Sequence, residues 1–166
     1  MRPNGREHID GAEGPPMKYT EDNRGIIQDT NNFHQKVLFG GMKYGKCMPT
    51  DIDAVMEFDN KLLIIFELKY GDAPIPTGQN ILLTRLVDAW QQDGTEAVLF
   101  LCRHMTPNTE DIQLANTSVT DVYYKGRWVR QKIVKRTKER TDEVIRWAEQ
   151  THGWSLTHET ICTAVL

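Results

Sequence analysis

Apolar and polar side chains alternate along residues 47 to 58. Ile52, Ala54, Met56 and Phe58 share one face, and Asp51, Asp53, Val55 and Glu57 share the other. A period of two is the signature of a strand with one buried face. Residues 61 to 70 are apolar on both faces, as in a central strand. Leu62, Ile64, Phe66 and Leu68 line one side; Leu63, Ile65, Glu67 and Lys69 line the other. Asp59-Asn60 is a turn signal, so the two segments predict a hairpin. Register decides which side chains meet. A three-residue loop, Asp59 to Lys61, pairs Phe58 with Leu62, and counting back sets Asp53 opposite Glu67. A two-residue loop sends the two acids to opposite faces, because a one-residue slip turns every side chain over.

The remaining pattern supplies helices on either side of this hairpin and three more strands. Asn31 to Phe39 predicts a short helix with Phe33, Val37 and Leu38 at helical spacing, an Asn31 or Asn32 cap and a Gly40-Gly41 stop. Pro74 and Pro76 break the chain after the second strand. A helix from about Thr77 to Gln92 follows, with Leu82, Leu83, Leu86 and Trp90 as its apolar stripe. Gln79 lies three and four residues before Leu82 and Leu83 and so points toward the sheet. Residues 96 to 103 read as a buried strand. Val119 to Tyr124 and Arg127 to Ile133 read as strands around a Lys125-Gly126 turn. Thr137 to Gln150 reads as a helix with Val144, Ile145 and Ala148 inward. Residues 1 to 25, rich in Gly and Pro, read as a flexible segment ahead of a single domain over 26–166, and Gly153 to Leu166 reads ambiguously.

Bulk composition is that of a soluble globular domain: 166 residues, 39% hydrophobic and 26% charged. No apolar run is long enough to span a membrane, and the first residues lack the apolar core of a signal peptide. Cys47, Cys102 and Cys162 form no CxxC pair, which points away from a zinc site or disulfide framework and toward a reducing, cytoplasmic location. A net charge of −3 argues against indiscriminate nucleic-acid binding. Yet Lys125, Arg127, Arg130, Lys132, Lys135, Arg136, Lys138 and Arg140 place eight of the twenty basic residues in one short stretch, with Glu139 as its single acid. Tyr123, Tyr124 and Trp128 lie beside it, a mix that can grip phosphates and stack on bases. A solvated basic surface is the competing reading of the same stretch.

Charged side chains at strand positions are rarely buried unless paired or metal-bound. Asp53, then Glu67 and Lys69 in Phe66-Glu67-Leu68-Lys69, then Gln79 on the next helix, therefore mark a candidate site. Two carboxylates supply hard oxygen ligands for a divalent cation. Lys69, two positions along the same face from Glu67, can orient or deprotonate a water. The plainer alternatives are strand-end charges for Glu67 and Lys69, turn or cap residues for Asp51 and Asp53, and a helix-start amide partner for Gln79. His34 and His104 read as structural.

In residue order and element order, this constellation resembles the PD-(D/E)xK nuclease superfamily, the restriction-endonuclease-like fold, and within it the small nucleases of phages and mobile elements. The likeness covers roughly residues 30 to 105. It implies an α/β (α+β) fold with a central mixed β-sheet flanked by helices, in the order α-β-β-α-β then β-β-α. It implies an Mg²⁺-dependent nuclease (Mn²⁺ substituting), an endonuclease acting on DNA. In it Asp53, Glu67 and the Leu68 backbone carbonyl hold the metal, Lys69 assists attack by the metal-held water, and Gln79 positions water or phosphate. Lys125, Arg127, Arg130, Lys132, Lys135 and Arg136 are the expected nucleic-acid contacts. A homodimer is the simplest way to cut both strands of a duplex, and no membrane partner is expected. The alternative reading is a catalytically silent module of the same shape that binds nucleic acid or protein as an accessory or inhibitor; a structural role in a phage particle is the third.

Overall fold

The computed structural model describes residues 49–92 and 94–156. The expected opening segment over 1–25, the helix over Asn31 to Phe39, and Cys47 and Cys162 lie outside the described residues. Within them the fold is α+β: a five-stranded mixed sheet with two helices. The strands are β1 (Ala54–Phe58), β2 (Leu62–Tyr70), β3 (Glu96–His104), β4 (Ser118–Tyr124) and β5 (Arg127–Arg136), and they stand side by side in chain order. Helix α1 (Thr77–Trp90) crosses from β2 to its parallel neighbour β3, as a parallel pair requires. The other three pairings are antiparallel. Helix α2 (Thr137–His152) closes the sequence of elements.

The hairpin takes the three-residue loop. Phe58 pairs with Leu62 and Ala54 with Phe66, and the Lys61 N–H returns to the Phe58 carbonyl at 2.8 Å. Such a loop needs left-handed backbone, and it falls on Asp59 (φ 49°) and Asn60 (φ 54°). Asp and Asn enter that region more readily than other non-glycine residues. The β4–β5 turn uses the same conformation at Lys125 (φ 47°) and Gly126 (φ 76°).

β1 is shorter than the alternation over 47 to 58 predicts, beginning only at Ala54. The physical cause is the Asp53 carboxylate. Counting on from Ala54 and Phe66, Ile52 stands opposite Leu68, and its carbonyl would take the Leu68 N–H in a continued ladder. The Asp53 Oδ2 accepts that N–H instead, at 2.7 Å. The face expected to be buried is only half covered: Ala54 and Phe58 pack on the core, while Ile52 and Met56 are each 41% exposed.

Two apolar layers sandwich the sheet. On one face Leu62, Ile64, Phe66, Val98, Phe100, Cys102 and Val119 pack against Ile145 and Ala148 of α2. Burial among these pushes the Cys102 thiol up to about 11. On the other face Leu63, Ile65, Ala97, Leu99 and Tyr123 meet Leu83 and Val87 of α1. Here the expected stripe needs correcting. Leu82 and Leu86 are more than a third exposed, and the inward line is Gln79, Leu83 and Val87. Five apolar side chains between Ile81 and Val87 leave rotation undecided by hydrophobicity. Polar bonds set it: Gln79 reaches Glu67, and Asn80 accepts the Trp128 indole N–H at 3.1 Å.

This packing predicts that Leu83→Ala lowers the unfolding free energy by ~2–5 kcal/mol, the cost of a core cavity. Leu86→Ala, on the exposed side, lowers it by less than ~1 kcal/mol. Urea denaturation of the two variants measures both, and equal losses contradict this rotation of α1.

Candidate functional site

Cross-strand neighbours share a face, so the register lays out two rows of side chains on the α1 side of the sheet. Glu67, Leu101, Asp121 and Arg130 form one, running from β2 to β5. Lys69, Arg103, Ser118 and Arg136 form the other, one step nearer the C-terminal end of β2. Continuing the β1 register by one residue sets Asp53 at the head of the first row, opposite Glu67. Leu83 and Val87 of α1 cover the apolar rows before these. The first turn of the helix, with Gln79, reaches the Glu67 row.

Glu67 is the centre of the arrangement. Its side chain has no solvent exposure. Lys69 Nζ donates to its Oε1, and Gln79 Nε2 donates to its Oε2 at 2.9 Å. The Gln79 Oε1 in turn accepts from Lys69 Nζ at 3.4 Å, and its Nε2 approaches the Asp51 carbonyl at 3.5 Å. The amide of Gln79 thus bridges the anion and the cation, each end facing the partner it suits. The helix-start alternative for Gln79 does not describe it. Burial holds the Glu67 carboxyl above the usual carboxylate range; the Lys69 hydrogen bond opposes this and the nearby charges of Asp53 and Asp51 add to it.

Asp53, Glu67, Lys69 and Gln79, separated by up to 26 positions in the chain, are therefore brought to one place on one face. Asp51 is exposed and joins through its backbone carbonyl and its charge. The Leu68 N–H turns to the β1 edge to meet Asp53. In an extended strand a residue's N–H and C=O project to the same edge, so the Leu68 carbonyl is directed there as well. Two carboxylates and a carbonyl are hard oxygen donors, and they fit a small divalent cation. Among the described residues no group of three or more His, Cys, Asp or Glu side chains is assembled. A cation here would complete its shell with water, as magnesium commonly does.

The basic stretch does not form one surface. Lys135, opposite Val119, is on the α2 face and is engaged by Glu143 and, at 3.2 Å, by Glu139. Arg140 meets Glu143 at 2.7 Å and Lys138 meets Asp142 at 2.5 Å. Lys125 lies over the Tyr124 ring and 3.8 Å from Glu96. Arg127 stands opposite Tyr124, whose side chain packs in the α2-side layer. Arg130 and Arg136 end the two rows that begin at the site, and Lys132 follows Arg130 by two residues. Arg130 and Lys132 form no ion pair or side-chain hydrogen bond among the described residues.

Sequence reasoning missed Arg103. Its Nη1 donates to the carbonyls of Gly71 (2.6 Å) and Ala73 (3.0 Å), tying down the segment that joins Lys69 to the helix carrying Gln79. The signal was an arginine closing an otherwise apolar strand.

Comparison with protein-family models, curated proteins and solved structures finds no match for this chain.

The raised proton affinity of Glu67 has a measurable sign. Between the ordinary carboxylate range and its own higher value, the folded chain binds more protons than the unfolded one, so stability falls as pH rises through that window. In chelator, the wild-type protein is expected to lose stability relative to Glu67→Gln from about pH 4.5 upward. Parallel pH profiles for the two proteins in urea contradict this.

Proposed function

We propose that this protein is a metal-dependent nuclease that hydrolyses phosphodiester bonds of DNA on a restriction-endonuclease-like core. The observation that carries the reading is the convergence of Asp53, Glu67, Lys69 and Gln79 on one face, just beyond the start of α1. Phosphodiester hydrolysis needs a positioned water and groups that offset charge building on the phosphate oxygens. When bound, a magnesium-like cation would be held by Asp53, Glu67 and the Leu68 carbonyl, and would supply that charge and acidify water.

The chain's own residues do the rest. Lys69, with 18% of its side chain exposed, is reachable by a water and by a phosphate oxygen. Its ammonium orients the water and stabilises the developing anion; its partner Glu67 holds it there. Gln79 keeps Glu67 and Lys69 in fixed relation and offers its amide to a water. Asp53, anchored by the Leu68 N–H, keeps its other oxygen for the cation. Arg130 and Arg136 place positive charge at the far ends of the two rows, on the same side of the sheet, where a nucleic-acid backbone leaving the site would run.

A second reading has its own support. Glu67, Lys69 and Gln79 satisfy one another without a cation, as in a catalytically silent module that binds nucleic acid or a protein partner. The two readings separate in a cleavage assay with Mg²⁺ or Mn²⁺. Lys69→Ala is expected to cut at least ~10²-fold more slowly, the usual scale for losing one group that stabilises transition-state charge. Asp53→Asn keeps an oxygen for the Leu68 N–H, so its thermal transition should hold while Mg²⁺-dependent cleavage falls similarly. A wild-type protein that binds DNA but never cuts it favours the silent module.

The charge rows carry a separate expectation. Arg130→Ala weakens DNA binding uniformly across sequences and flattens the log–log salt dependence by ~0.9 for each phosphate that the arginine neutralises. Lys135→Ala, engaged on α2, leaves that slope unchanged. Titrations at several salt concentrations decide it.

A further inference from the structure

The row Lys69, Arg103, Ser118, Arg136 borders a feature that the catalytic reading leaves unused. Arg103 and Ser118 both line a cavity of about 780 Å³ at the C-terminal end of β3, together with Asp72, Glu110, Asp111, Gln113 and Asn116. Gly71, two residues beyond Lys69, lines it too. The cavity therefore begins one strand across from Lys69, about 5 Å in strand spacing.

Its chemistry is wrong for a phosphate. Three carboxylates share the lining with one guanidinium and the His104 imidazole, and that guanidinium already gives Nη1 to two backbone carbonyls. The lining instead offers acceptors and amides to a neutral planar group with its own N–H donors. Nucleobases are such groups, with exocyclic amino and ring N–H donors on their edges. At the same strand end His104, which also lines the cavity, meets the Tyr70 ring edge-to-face at 5.7 Å; Tyr70, one residue on from Lys69, stands on the opposite face of β2 and does not line the cavity.

We propose that this cavity receives an unpaired nucleobase next to the phosphate held at Glu67 and Lys69, so that the substrate is a single-stranded segment, free or at the end of a duplex. The base has to be unpaired because in a duplex it is stacked and its edge is engaged by the opposite strand. This assignment rests on the nuclease reading for its polarity and purpose, but its binding test does not depend on turnover.

The test is anisotropy of a labelled oligonucleotide in chelator, single-stranded against the blunt duplex of the same sequence. The single strand is expected to bind at least ~5-fold tighter, about what one or two hydrogen bonds to the base edge are worth. Gln113→Trp, an exposed position that would obstruct the cavity, should abolish that preference and leave duplex binding unchanged. Asp72→Asn, isosteric and exposed, gives an independent sign. It weakens single-strand binding ~3-fold, about one hydrogen bond, if a base is held. It tightens binding if a phosphate is held, and tightening overturns the proposal. Equal affinity for both forms, or a Gln113→Trp protein that keeps the preference, also overturns it. If the preference responds to Gln113→Trp but nothing is cut with Mg²⁺, the nuclease reading fails and the cavity assignment stands. If DNA is cut with no preference for single strands, the reverse holds.

Discussion

A carboxylate with no solvent exposure is costly to keep charged, and among the described residues Glu67 has two hydrogen-bond donors: an ammonium two residues along its own strand and an amide from the helix above. Each partner constrains a different element. Lys69 has to stay on the α1 side of β2, which fixes how far the strand runs true. Gln79 has to face the sheet, which fixes the rotation of α1 and with it the choice of Leu83 and Val87 as the buried line. Asp53 adds a third constraint from β1, because its position opposite Glu67 needs the three-residue hairpin loop. Removing Lys69 leaves a buried charge uncompensated, an outcome that costs ~3–5 kcal/mol where it has been measured; removing Gln79 leaves one buried carboxylate oxygen without its donor. Polar chemistry and core packing are therefore coupled at this point rather than added separately.

How much of this was legible in the sequence follows from which signals are local. The hairpin register could be read because Asp59-Asn60 accept left-handed backbone and the alternation on both sides agrees with that loop. β3, β4, α2 and the first part of β5 could be read from their patterns, and Lys125-Gly126 marks its own turn; the extension of β5 to Arg136, past a shift in the β4–β5 register, could not. The rotation of α1 could not. Ile81, Leu82, Leu83, Leu86 and Val87 cover much of the helix circumference, so apolar patterning admits several rotations. The deciding bonds, Gln79 to Glu67 and Asn80 to Trp128, join residues 12 and 48 positions apart. The early end of β1 was hidden for a similar reason: the alternation continues through Ile52, but the Asp53 side chain takes the backbone donor that the ladder would have used.

The basic stretch shows the same boundary between local and tertiary information. Strand parity separates Arg130 from Arg127, and that much is written in the sequence; Lys135 and Arg136 lie beyond the expected strand end at Ile133, past a shift in the β4–β5 register. What is not written is that Glu139, Asp142 and Glu143, all on α2, fold back to engage Lys135, Lys138 and Arg140. Five of the eight basic residues thus fall into two groups. One ties α2 together and to the end of β5. The other lies at the far end of rows that begin with Glu67 and Lys69.

That division bears on how charge is distributed over a chain with a net charge of −3. Exposed ion pairs contribute little to stability, and they also cancel the field of the charges they contain. Pairing Lys135, Lys138 and Arg140 quenches the α2 side and leaves Arg130, beside Asp121 in its row, without an ion pair among the described residues. The carboxylates around the neighbouring cavity act in the opposite sense and repel phosphates from it. In the proposed reading, a backbone passing Lys69 would be kept out of the cavity, while a neutral base would not. The two rows and the cavity would then sort a nucleotide into its charged and uncharged parts, with Arg103 standing at the division.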